Sequence, residues 1–129
     1  MRALAAVAAA GALACAGCSS GSASNRTWHD NAVGLVAQLR ADVASVRAVP
    51  VSSNLSDRYA LLVAYADMGG CSAMTSATGA PPGPQRVLAR TCPHLERASA
   101  LFTQGALRRA AREASLAEPA LVRAGAALH

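Results

Sequence analysis

Apolar residues recur along much of this chain at intervals of three and four, the period of a helix buried on one side. From Thr27 the stripe reads Trp28, Ala32, Leu35, Leu39, Val43, Val46 and Val49, while Arg40, Asp42 and Arg47 fall off it. Thr27 is a good N-cap, Asp30 lies near the positive helix end, and Pro50 ends the run. Ser52-Ser53-Asn54 supplies a break and a new cap. The pattern then predicts a helix from about Leu55 to Ala77. Its stretch Ala60-Leu61-Leu62-Val63-Ala64-Tyr65-Ala66 is apolar on all sides, which predicts the most buried helix. Gly69-Gly70 weakens it by about 1 kcal/mol per glycine relative to alanine, and serves either close helix approach or a bend.

Gly79-Ala80-Pro81-Pro82-Gly83-Pro84 reads as a turn that no helix crosses. A third helix follows, with Leu88, Cys92, Leu95, Ser99 and Phe102 in one row. Pro93 either kinks it or sits in the first turn of a fresh start capped by Thr91. A fourth helix runs from about Ala106, with Leu107, Ala111 and Ala114 on its stripe. Ser115-Leu116-Ala117-Glu118 has the form of a capping box, followed by Leu121, Val122, Gly125 and Leu128, with a bend near Pro119. The sum is an all-α fold, a small up-and-down antiparallel four-helix bundle.

Composition agrees with this and narrows it. Of 129 residues 53% are apolar, 15% charged and 3% aromatic, and alanine makes up roughly a quarter. Such a vocabulary favours helix over sheet and leaves room for one small domain. All twelve basic residues are arginine, with seven acids and a net charge of +5. The lack of Lys and Ile resembles the usage of GC-rich bacterial genomes, actinobacteria among them.

Part of the apolar count belongs to export. Met1-Arg2 is followed by a chargeless run from Ala3 to Ala16, then Cys18 and Ser19-Ser20-Gly21-Ser22. A charged start, a short apolar core and small residues make a secretory signal peptide. The apolar run is shorter than the ~20 residues that span a bilayer. Leu13-Ala14-Cys15-Ala16-Gly17-Cys18 resembles a bacterial lipoprotein lipobox. That resemblance implies cleavage before Cys18 and attachment of lipid to its thiol. Cys15 stands where the family usually has Leu, and the alternative register modifies Cys15 itself. The expected divisions are a signal peptide over 1–17, a Ser/Gly tether over 18–26 and the helical bundle over 27–129. The expected location is the outer face of the cell membrane, with plain secretion after cleavage near Ala16 as the alternative.

Cys71 and Cys92 remain in the mature domain. Each stands eight residues from the proline-rich turn, so both lie about 12 Å along their helices at 1.5 Å per residue. An antiparallel hairpin sets them face to face, and an exported chain favours a disulfide there.

No nucleophile elbow, phosphate loop or zinc-protease motif is present, so enzymatic activity is not expected and no cofactor is implied. Met68, Met74 and His94, near the cysteine pair, are the candidate ligands for a soft metal. Core methionines and a surface histidine are the plainer account of them. Arg86, Arg90 and Arg97, with Arg108, Arg109 and Arg112, form basic faces suited to anionic lipid headgroups or a protein partner. The plainer account is solvated arginines partly paired with Glu96, Glu113 and Glu118. Nucleic acid is not an expected partner, because stacking aromatics are few. Asp67, beside the most apolar stretch, needs a partner if buried and otherwise marks the bundle edge. The function expected is a membrane-anchored lipoprotein that binds or scaffolds. The alternative is a carrier of a small ligand or soft metal, with a cavity lined by Met68, Met74, Leu95 and Phe102.

Overall fold

The computed structural model describes residues 21–49 and 54–129, with side chains from residue 26 onward among the first of these. Every regular element among the described residues is a helix. The first, α1, spans Gly21–Ala48 and starts six residues ahead of Thr27. Residues 21–26 hold no proline, so the helix extends back through what the sequence predicts as tether, and Thr27 is not its cap. The signal segment, Cys15 and Cys18 lie outside the described residues. Ala32, Leu39, Val43 and Val46 of the predicted stripe are buried, and Trp28, Leu35 and Val49 are half-buried. Val36 and Asp42 are buried beside them, so the stripe is wider than the sequence pattern indicates.

Asn54 caps α2, Leu55–Gly69, by accepting a 2.8 Å hydrogen bond from the Ser56 amide. The predicted run to Ala77 is interrupted at Gly70, and α3 spans Cys71–Ala77. Gly70 N–H is shared between the carbonyls of Ala66 (3.2 Å) and Asp67 (3.1 Å), which tightens the last turn of α2. Gly69 answers to close approach. A Cβ there would lie 2.6 Å from Ser99 Oγ across the interface.

One expectation is corrected here. α2 is not buried on all sides. Leu61, Ala64, Tyr65 and Met68 face the core, but Leu55, Tyr59, Leu62 and Val63 are exposed. The neighbouring helices cover one side of α2 only.

Thr78–Pro81 links α3 to α4, Pro82–Ala89. The turn is shorter than predicted, because Pro82, Gly83 and Pro84 enter the first turn of α4, where a missing N–H costs nothing. After Arg90-Thr91 the chain restarts as α5, Cys92–Thr103, with Pro93 in its first turn. Thr91 does not cap α5 with its side chain. Its hydroxyl donates back to the Leu88 carbonyl at 2.6 Å. Gly105, at φ +78°, turns the chain into α6, Leu107–Leu116. α7, Glu118–Ala127, follows Ala117 and takes Pro119 in its first turn. No capping box forms, since the Ser115 hydroxyl donates to the Ala111 carbonyl at 3.0 Å. The buried row is Ala110, Ala114, Ala117, Leu121, Ala124 and Leu128, rather than one through Ala111 and Val122.

Helix α1 packs on α2, α6 and α7, α2 packs on α5, α5 on α6, and α3 on α4. Leu39, Met68, Leu95 and Leu121 fill the main core together with several alanines. Ala98, Ala110, Ala114 and Ala117 let backbones approach closely, but each buries only a methyl group, about 0.8 kcal/mol apiece. A second cluster joins Val36, Leu88, Ala124 and Leu128 under Trp28. There His29 Nε2 donates to the Leu128 carbonyl at 2.6 Å.

The sulfurs of Cys71 and Cys92 are at disulfide distance, 2.12 Å, with Cα atoms 5.4 Å apart. Around them Thr75 and Thr91 are buried, their hydroxyls bonded to the Ser72 and Leu88 carbonyls.

Two predictions follow from this packing. A Cys71→Ala, Cys92→Ala chain keeps its helical circular dichroism but loses about 3 kcal/mol in urea unfolding, the chain-entropy value for a loop of this length. Gly69→Ala destabilises the fold by about 1 kcal/mol although alanine is the better helix former. That loss shrinks in a Ser99→Ala background, which a double-mutant cycle reads directly.

Candidate functional site

The exposed side of α2 carries its own stripe. Leu55, Tyr59 and Leu62 are four and three residues apart, so they share a face roughly opposite the core-facing row. Their exposures are 80%, 68% and 55%. This face and Leu61 form one side of an open groove of about 1020 Å³, completed by Phe102 of α5 and Leu107 of α6. Arg58 and Ser56 supply its polar edge. Under it, Tyr65 stacks on Phe102 with ring centroids 4.4 Å apart and planes 16° from parallel. That stack fixes Phe102 as the groove floor, and burial raises the Tyr65 phenol above its ordinary pKa.

The residues expected to line a carrier cavity are placed differently. Met68 and Leu95 are 0% exposed in the filled core. Met74 packs against that core, and of the four only Phe102 reaches the groove. The candidate metal ligands occupy separate settings. His94 is exposed, with Nδ1 2.9 Å from Glu113 Oε1 on α6. Cys71 and Cys92 are taken up with each other. Among the described residues no group of three or more His, Cys, Asp or Glu side chains could hold a metal ion.

The arginine rows divide. The break before Cys92 puts Arg86 and Arg90 on α4 and Arg97 on α5, where Arg97 approaches Glu113 at 3.5 Å. Glu118 pairs with Arg47 rather than with the α6 arginines, and Glu96 accepts from the amide and hydroxyl of Ser72. Arg47 also donates to Ser115 Oγ at 3.2 Å.

Asp42 corrects the sequence reading most sharply. It is 5% exposed, and its Oδ2 is buried without a hydrogen-bond partner. Gln38 Nε2 donates to its Oδ1 at 3.1 Å. Across the α1–α2 interface stands half-buried Asp67, which thus meets a second carboxyl group rather than an arginine. Burial, and then Asp67 beside it, raise Asp42 from the ordinary 3.8 to about 6, against the opposing bond from Gln38. Sequence periodicity misses this pair because Asp42 sits at the margin of its stripe.

No described helix is long and apolar enough to cross a membrane. Searched against known proteins, the chain matches no family model, no curated protein and no solved structure.

The carboxyl pair gives a pH prediction. The folded state holds the Asp42 proton more tightly than the unfolded chain does. This stabilisation is complete below about pH 4 and is lost as pH rises through about 6. Stability to urea therefore falls by roughly 2–3 kcal/mol between pH 4 and pH 7 from this group. Asp42→Asn removes that slope and is more stable than the parent at pH 7.

Proposed function

We propose that this chain is a bacterial lipoprotein, held at the outer face of the membrane through acylated Cys18, whose helical domain works by binding. In this reading the helices form four up-and-down arms: α1, α2 with α3, α4 with α5, and α6 with α7. The observation that carries the binding role is α2. Its inner stripe fills a closed core, while its outer stripe, Leu55, Tyr59 and Leu62, stays open to solvent beside a groove. Exposed apolar faces of this kind mark contact sites on small domains. A filled interior at Met68 and Leu95 favours that role over carriage of a small molecule or soft metal inside the bundle. The lipobox-like Ala16-Gly17-Cys18 supports the anchor, and acyl chains contribute about 0.8 kcal/mol of membrane affinity per buried CH₂.

The anchor is tested by expressing the full chain in a bacterial host that processes lipoproteins. The intact mass shows an N-terminal Cys18 bearing lipid, and the protein partitions into detergent. Cys18→Ser leaves it in the aqueous phase, while Cys15→Ser changes nothing. Detergent partition that persists in Cys18→Ser and vanishes in Cys15→Ser assigns the lipid to Cys15 instead.

A further inference from the structure

We infer that the groove between α2, α5 and α6 receives an acidic amphipathic helix of another protein, with its apolar ridge on Phe102 and Leu62 and its carboxylates on Arg58. The inference names the partner chemistry of the binding role proposed above and is independent of lipid at Cys18.

Two observations select this occupant. The first is shape. The site is an open concavity lined by Leu55, Tyr59, Leu61 and Leu62 on one helix and by Phe102 and Leu107 on the others. A ridge of side chains at three- and four-residue spacing fills such a groove. The second is charge. Arg58 lines the groove. It is exposed and forms no ion pair among the described residues. Arginine at the rim of an apolar groove favours a partner with carboxylates flanking its apolar stripe.

The probe is a synthetic helical peptide with Leu at positions i, i+3, i+4 and i+7 and Glu on both flanks. A second peptide carries Lys in place of Glu. The full chain is used in phosphatidylcholine nanodiscs if it carries lipid and in buffer if it does not. Binding is read by fluorescence anisotropy of the labelled peptides, and the site by amide shifts. The Glu peptide binds more tightly than the Lys peptide by about tenfold or more, and shifts amides of Tyr59, Leu62, Phe102 and Leu107. Leu62→Ser, an exposed change that keeps the helical signal, weakens it about tenfold. Arg58→Glu reverses the preference between the two peptides. Equal binding of both peptides overturns the proposal, as does binding indifferent to Leu62→Ser and Arg58→Glu. It is also overturned if Leu62→Ser converts a sedimenting dimer to a monomer, or if phosphatidylglycerol vesicles, and not the Glu peptide, shift the groove amides. Lipid-free protein that still prefers the Glu peptide removes the anchor and leaves this inference standing.

Discussion

The fold turns on the joint where two helix starts are fastened together. Cys71 is the first residue of α3 and Cys92 the first of α5, and each follows an interruption, at Gly70 and at Arg90-Thr91. Two weak places in the backbone are thereby set against each other at a Cα separation of 5.4 Å. A third of the surrounding core residues are alanine and contribute little area each, so a covalent link counts for more here than in a leucine-rich bundle. Thr75 and Thr91 complete the joint. Their hydroxyls donate to carbonyls in their own turns, which satisfies buried polar atoms, and each also lies within 4.0 Å of the opposite cysteine's sulfur.

Much of this was legible in the sequence, for identifiable reasons. The even spacing of Cys71 and Cys92 about the proline-rich turn pointed to their pairing, although Cys92 starts a new helix beyond a break rather than continuing the one that leaves the turn. The stripe from Ala32 to Val46 is a single-faced pattern with one solution. The continuity of the later helices was less legible. Thr91 and Ser115 look like caps, yet each hydroxyl bonds back to a carbonyl three or four residues earlier, a competing local bond that a motif does not distinguish.

The groove was hidden for a different reason. Ala60 to Ala66 is apolar at every position, and periodicity vanishes when both faces of a helix are apolar. Such a run reads as deep burial unless Leu55, Tyr59 and Leu62 are taken as a second stripe beside Leu61, Ala64, Tyr65 and Met68. Asp42 illustrates the converse. A charged residue one step from the apolar row reads as a surface group, and only the packing of α2 encloses it with Asp67. The two surprises thus share one helix. α2 gives one side to α1 and α5, where it closes over a carboxyl pair, and leaves the other side uncovered by any described helix.

The bond from His29 to the Leu128 carbonyl joins positions 99 residues apart in sequence. It lays the early part of α1 against the end of α7, so the domain is nearly a closed circuit in space. The order in which its helices are read could be rewritten by linking His129 to the start of α1 and opening the chain between Ala77 and Pro82. Such a circular permutant would rely on the Cys71–Cys92 bridge to hold the newly cut hairpin. The bridge would then carry the connectivity that the turn now supplies.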